Sequence, residues 1–292
     1  METTELIKKV RKIEIRTRGL SRNIFSGEYH SAFKGRGMAF SEVREYNFGD
    51  DIRAVDWNVS ARFNHPYVKI FEEERELNVM LLVDISASLD YGTVNQSKRD
   101  LITEICAVLA FSAIQNNDKI GVIFFSDKIE KFIPPKKGRT HTLRIIRELL
   151  EFEPQNKKTD LNVALQYMFN VIKKRSIAFV VSDFLTDGFE KALTIAGKKH
   201  DTIALQIYDK REEEMPDIGL IYAQDLETGT NKWIDTSSAE LRRNYKIWWN
   251  SKQLMLRDVF NKSKVDVIKI KTDDNYVKPL MNFFKLRGHK GY

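Results

Sequence analysis

The sequence predicts an α/β fold: a doubly wound, mostly parallel sheet with helices on both faces. Three observations carry that expectation. From Leu77 onward, short apolar runs alternate with longer amphipathic stretches, the pattern of repeated strand–helix units. The runs are nearly continuous, as in "VMLLV", "IGVIFF" and "IAFVV", which suits strands covered on both faces. Between them, apolar residues recur near helical spacing, as Leu101, Ile105, Val108, Leu109 and Ala113 do.

Taken in order, "NVMLLVDIS" reads as a buried strand and residues 97–115 as a helix. Residues 120–126 form the next strand, "PPKKGR" a turn, and 141–152 a helix. A helix from Thr159 has an acid in its first turn, where the helix dipole favours negative charge. Strands follow at 176–183 and 201–209, with a helix at 189–200 between them. Residues 219–236 predict a hairpin turning at Glu227-Thr228-Gly229, and 237–260 a long helix carrying Trp248 and Trp249. A last strand and helix span 265–271 and 276–286.

Residues 1–75 read differently. A basic helix candidate near 3–13 precedes an arginine-rich stretch punctuated by Gly27, Gly35, Gly37 and Gly49. Its short strands and loops cannot form a core alone. The expected organisation is an extension, 1–75, packing on a domain at 76–292 that carries a hairpin and long-helix insertion around 215–262.

The 292 residues include 42% apolar and 30% charged side chains, enough for a sizeable core under a well-solvated surface. The net charge of +7 suits an acidic partner or a plain lysine-rich surface. One cysteine, Cys106, allows no disulfide within the chain and points to a reducing compartment. The opening "METTELIKKVRKIEIRTRG" lacks the apolar centre of a signal peptide, and no run of about 18 apolar residues occurs. A cytoplasmic protein is expected.

The stretch most in need of explanation is "VDISASLDYG", residues 83–92. A buried strand runs straight into Asp84, Ser86 and Ser88. Right-handed crossovers put every loop that follows a parallel strand on one edge of the sheet, where open sheets bind ligands. Asp183 ends another core strand, and Thr159 follows the "NKKT" loop. Two carboxylates and three hydroxyls from three loops can therefore converge. Ile85 and Ala87, between them, can turn to the core. Hard oxygen donors without a histidine or thiolate pair favour magnesium, manganese or calcium over zinc. Because hydroxyls carry no charge, such an ion keeps affinity for an added anionic ligand.

On these residues the chain resembles a von Willebrand factor type A domain with a metal-ion-dependent adhesion site. Its D-x-S-x-S motif is matched by Asp84, Ser86 and Ser88, its threonine by Thr159, and its last aspartate by Asp183. The resemblance implies that the serines and threonine contact the ion, that the aspartates act through water, and that a partner's acidic residue completes the octahedron. The family's last motif often reads Asp-Gly. Here it is Ser182-Asp183-Phe184, and Asp187-Gly188 four residues on is the alternative to Asp183. The preceding segment, from Ser26, resembles the bacterial domain-of-unknown-function family fifty-eight. The signature residues are Gly49, Asp50, Asp51, Arg53, Asp56 and Trp57, then Ser60, Ala61 and Arg62, then Glu74-Arg75. That resemblance implies a MoxR-type AAA+ ATPase, or a protein it serves, as partner, and an adaptor role in protein maturation or complex assembly.

Within the signature, the acids alternate with Arg53 and Arg62. Ion pairs among them, with Trp57 packed on the domain, are the structural expectation, and a partner surface is the functional one. Catalysis finds little support. The five histidines, His30, His65, His141, His200 and His289, show no ligand spacing, Ser86 has no evident base, and "GRGMAF" lacks the G-K-[ST] of a phosphate loop. A magnesium-dependent phosphoesterase using Asp84 and Asp183 is the enzymatic alternative. Nucleic-acid binding by the basic start is a further one, without a recognition motif.

Overall fold

The structure is a computed structural model describing residues 39–72, 76–90, 97–154, 156, 158–224 and 229–289. The expected basic helix near 3–13, Glu74-Arg75 and the tip of the predicted hairpin lie outside these residues.

The central sheet is built from the apolar runs. β3 (Asn78–Asp84), β4 (Lys119–Phe125), β6 (Ile177–Ser182), β7 (Asp201–Tyr208) and β10 (Asp266–Lys271) are parallel, and β5 (Ile129–Lys136) joins antiparallel at one edge. The order is β10-β7-β6-β3-β4-β5. Because side chains alternate across a strand, β3 sends Val79, Leu81 and Val83 to one core and Met80 and Leu82 to the other. The first core is closed by α2 (Lys98–Gln115), α3 (Arg139–Glu151) and α8 (Val277–His289). The second is closed by α4 (Leu161–Val171), α5 (Glu190–Lys199) and α7 (Ala239–Ser263). The doubly wound α/β class is as the sequence predicts. After β3 the chain moves to one side, to β4, and after β6 it moves to the other, to β7. The reversal leaves a crevice between the carboxyl ends of β3 and β6, the position where open sheets take ligands.

Two local readings are corrected. "PPKKGR" is not a turn throughout, since Pro134, Pro135 and Lys136 complete β5. Proline is admitted because β5 is an edge strand, where a missing N–H costs no ladder bond. The helix expected from Thr159 starts at Leu161, with Asp160 as its N-cap accepting from the Val163 N–H at 3.2 Å.

β4 contains one position that only glycine fits. A Cβ on Gly121 would stand 2.8 Å from the Ile133 carbonyl oxygen and 2.9 Å from Met80 Sδ. Gly121→Ala is expected to cost about 1–3 kcal/mol through overpacking. The check is a lower urea midpoint at unchanged slope.

Two small antiparallel sheets are separate from the central one. β1 (Ala39–Glu45) pairs with β2 (Tyr67–Glu72), with a 3-10 turn (Ile52–Ala54) and α1 (Trp57–Phe63) between them. β8 (Leu220–Gln224) pairs with β9 (Asn231–Asp235) after the short α6 (Lys210–Glu213). The signature acids act locally in the first of these. Asp50 holds Arg44 through two 2.7 Å bonds. Asp51 caps the 3-10 turn at the Arg53 N–H. Asp56 caps α1 and stands 3.5 Å from Lys69. The expected pairing with the Arg53 and Arg62 side chains gives way to these contacts, because a capping carboxylate satisfies helix N–H groups that have no other partner. Trp57 is 69% exposed, so it does not pack on the domain as expected.

Candidate metal site at the carboxyl edge of the sheet

Asp84 is the last residue of β3 and fully buried. Its Oδ1 accepts the Ser86 N–H at 2.9 Å, and its Oδ2 accepts the Ser182 hydroxyl at 2.7 Å. Ser182 ends the neighbouring β6, so this bond ties the two strands together across the crevice. Burial, and next the charge of Asp183, push the Asp84 carboxyl up to about 7, against the pull of its hydrogen bonds.

Past Asp84 the backbone turns into a 3-10 segment, Ala87–Asp90, instead of staying extended. The two serines still meet: Ser86 Oγ lies 3.0 Å from Ser88 Oγ. Ile85, Ser86 and Ala87 are all buried, so the strand's alternation of faces does not continue past Asp84. Adjacent oxygens around a magnesium ion with bonds of about 2.1 Å stand about 3 Å apart, so the hydroxyl pair suits a hard cation as it stands. Among the described residues no group of three or more His, Cys, Asp or Glu side chains is placed to hold a metal ion.

Asp183 sits one residue beyond β6 and is buried. Its Oδ1 accepts the Leu185 N–H at 3.2 Å, and its Oδ2 accepts from Lys98 Nζ at 3.1 Å. Asp187, the sequence alternative, is exposed and paired with Lys252 on α7 at 2.8 Å, away from the buried cluster. Thr159 is half-buried, and its carbonyl accepts the Thr186 hydroxyl at 3.2 Å. The next residue, Asp160, donates its N–H to the Ser126 carbonyl just past β4, at 2.9 Å. The Thr159 loop is thus pinned to the ends of both β4 and the β6–α5 connection, on the same edge as Asp84.

Phe184 explains the departure from Asp-Gly. Its φ is +58°, a left-handed conformation that glycine adopts freely and a bulky residue adopts at a cost. The strained turn is fixed by the Phe184 N–H on Ser182 Oγ at 3.1 Å. The ring is held by Phe260, at 5.2 Å and edge-on, and by Phe189 at 6.0 Å. Backbone strain of this kind gathers at functional sites when surrounding packing enforces it.

Sequence reasoning missed Lys98 and Glu212. Lys98 opens α2 but is fully buried, with its ammonium between Asp183 and Glu212. Burial works to lower its pKa, and the charges of Asp183 and Glu212 outweigh it, so the ammonium is held above the ordinary lysine value. One signal was available. A lysine in the first turn of a helix opposes the helix dipole, and such a placement calls for an acidic partner.

A doubly wound α/β domain with a buried aspartate pair and paired serine hydroxyls at its switch point is the class that fold and site define. The chain belongs to the family described as protein of unknown function DUF58, which matches residues 42–253. The uncharacterized protein Rv1480 of Mycobacterium tuberculosis is 30% identical over 232 residues, 78% of this chain and 73% of that protein. Over a shorter span, the uncharacterized protein YeaD of Bacillus subtilis is 28% identical across 109 residues, 37% of this chain and 25% of that protein. The conserved hypothetical protein BatB from Bacteroides thetaiotaomicron shares the fold at a TM-score of 0.50 and 15% identity, covering 73% of this chain and 99% of that one. An aerotolerance-related membrane protein from Bacteroides fragilis does so at 0.51, with the same identity and coverage. No helix among the described residues is long and apolar enough to cross a membrane.

Proposed function

We propose that this protein is a metal-dependent protein-interaction module. One divalent cation, most simply Mg2+, is held by Ser86, Ser88 and Thr159, with Asp84 and Asp183 behind bound water. A glutamate or aspartate of the partner completes the coordination. The observation that carries the reading is the preassembled edge. Asp84 is already fixed from both sides by the Ser86 N–H and the Ser182 hydroxyl, and the two serine hydroxyls stand 3.0 Å apart. Magnesium keeps several exchangeable ligand positions, and this donor set leaves its charge only partly balanced. The resemblance drawn from the sequence points to a MoxR-type AAA+ ATPase, or a protein it serves, as partner, and to an adaptor role in maturation or assembly.

The test is calorimetry with MgCl2 and MnCl2, followed by binding of a purified MoxR-type ATPase with and without chelator. Ser86→Ala combined with Ser88→Ala is expected to abolish ion binding and chelator-sensitive association. Each lost hydroxyl contact should cost about 1 kcal/mol of stability or less. Association that ignores the chelator would overturn the reading. Turnover of generic phosphate esters that Asp84→Ala removes would favour the phosphoesterase instead.

A further inference from the structure

The buried Lys98 ammonium is not used by the reading above. Lysine is almost never fully buried unless paired, and here both partners come from other carboxyl ends of the sheet. Asp183 follows β6, and Glu212 belongs to α6, which follows β7. Nζ lies 3.1 Å from Asp183 Oδ2 and also contacts Glu212 Oε1. Glu212 is itself held. Its Oε2 accepts the Asp209 N–H at 2.8 Å in the capping box of α6, and its carbonyl accepts the Tyr245 hydroxyl at 2.9 Å. The ammonium is therefore a fixed charge. It has three donors and no lone pair, so it cannot be a metal ligand. What it shares with the candidate cation is Asp183.

We propose that Lys98 is the resident counter-cation of this edge: it balances Asp183 and Glu212 in the metal-free protein and, by competing for Asp183, holds the site's divalent-ion affinity low until a partner's carboxylate arrives. The proposal rests on the metal reading of Ser86, Ser88 and Thr159. Two buried or nearly buried carboxylates, Asp183 and Glu212, face one ammonium. The edge can thus fold without a metal ion, since a cation already sits among the acids. A divalent ion arriving one carboxylate away is repelled by that ammonium, and an anionic ligand from a partner relieves the repulsion.

The experiment is calorimetric titration with MgCl2 and MnCl2, paired with thermal melts in chelator and in MgCl2. Lys98→Met is expected to bind either ion about tenfold more tightly than the wild type or better, as removal of a nearby positive charge requires. Its melting temperature should fall in chelator and recover with Mg2+. Lys98→Arg keeps the charge and should stay within about threefold of the wild type. Should Lys98→Met fail to fold, Lys98→Met with Glu212→Gln keeps the net charge of the edge and should still bind more tightly. Ser86→Ala should abolish binding in every background. If the wild type binds and the double variant binds no more tightly, Lys98 is a structural ion pair and the proposal is overturned. If neither wild type nor variants bind at millimolar ion, the metal reading itself fails, and the proposal falls with it.

Discussion

Asp84→Asn is expected to stabilise the metal-free protein at pH 8 and to abolish its response to divalent ions. Burial and the neighbouring Asp183 push the Asp84 carboxyl up to about 7, well above a carboxylate in the unfolded chain. The native state therefore holds this proton more tightly than the unfolded state does. Stability from this group is fully present below the ordinary carboxylate range and is lost as pH rises through about 7. Asparagine can still accept the Ser86 N–H and carries no charge to bury. The gain at pH 8 in chelator should be on the order of 1–3 kcal/mol, and the variant should show a flatter pH dependence between 4 and 8. In Mg2+ the order should reverse, because the cation favours the ionised wild-type carboxylate and offers the amide nothing. Urea melts at pH 5 and pH 8, each with chelator and with Mg2+, decide it. Identical pH slopes for the two proteins would show that Asp84 does not carry the shifted titration.

A second large effect lies next door, at Phe184. Truncation to alanine removes a buried ring from between Phe189 and Phe260 and should cost about 3–5 kcal/mol. Glycine removes as much packing and would ordinarily be worse than alanine by about 1 kcal/mol through backbone entropy. At a φ of +58° that order should invert. Alanine keeps a left-handed cost of about 1–2 kcal/mol, which glycine does not bear. Phe184→Gly is thus expected to be the more stable of the two by up to about 1 kcal/mol, in denaturant melts of both variants against the wild type. The reverse order would mean that the turn after Asp183 is not strained. The wild-type residue resolves the conflict by burying a ring large enough to offset the strain.

These two residues also mark how far the sequence could be read. The strands were legible because burial on both faces leaves a local record, an unbroken apolar run such as Val79–Val83. Asp84, Ser86 and Ser88 were legible as a group because they follow such a run directly, and topology alone sends them to the edge that also receives Asp183. The strained turn at Phe184 left only a faint trace, a phenylalanine where glycine is usual. β5 was masked by Pro134 and Pro135, which argue against a strand unless it is known to lie at an edge. The signature acids read as ion-pairing residues, since a capping carboxylate and a salt-bridging one are the same side chain in sequence.

By itself, the sequence determined the layered α/β class and the strand-end positions of Asp84 and Asp183, because hydrophobic periodicity and strand-end position are properties of neighbouring residues. Only the tertiary structure decided the electrostatics of the edge. Lys98 is 85 residues from Asp183 and 114 from Glu212, and in sequence "SKRD" looks like any solvated helix start. The charge state of a buried cluster depends on which groups share a low-dielectric space, and chain neighbours do not specify that.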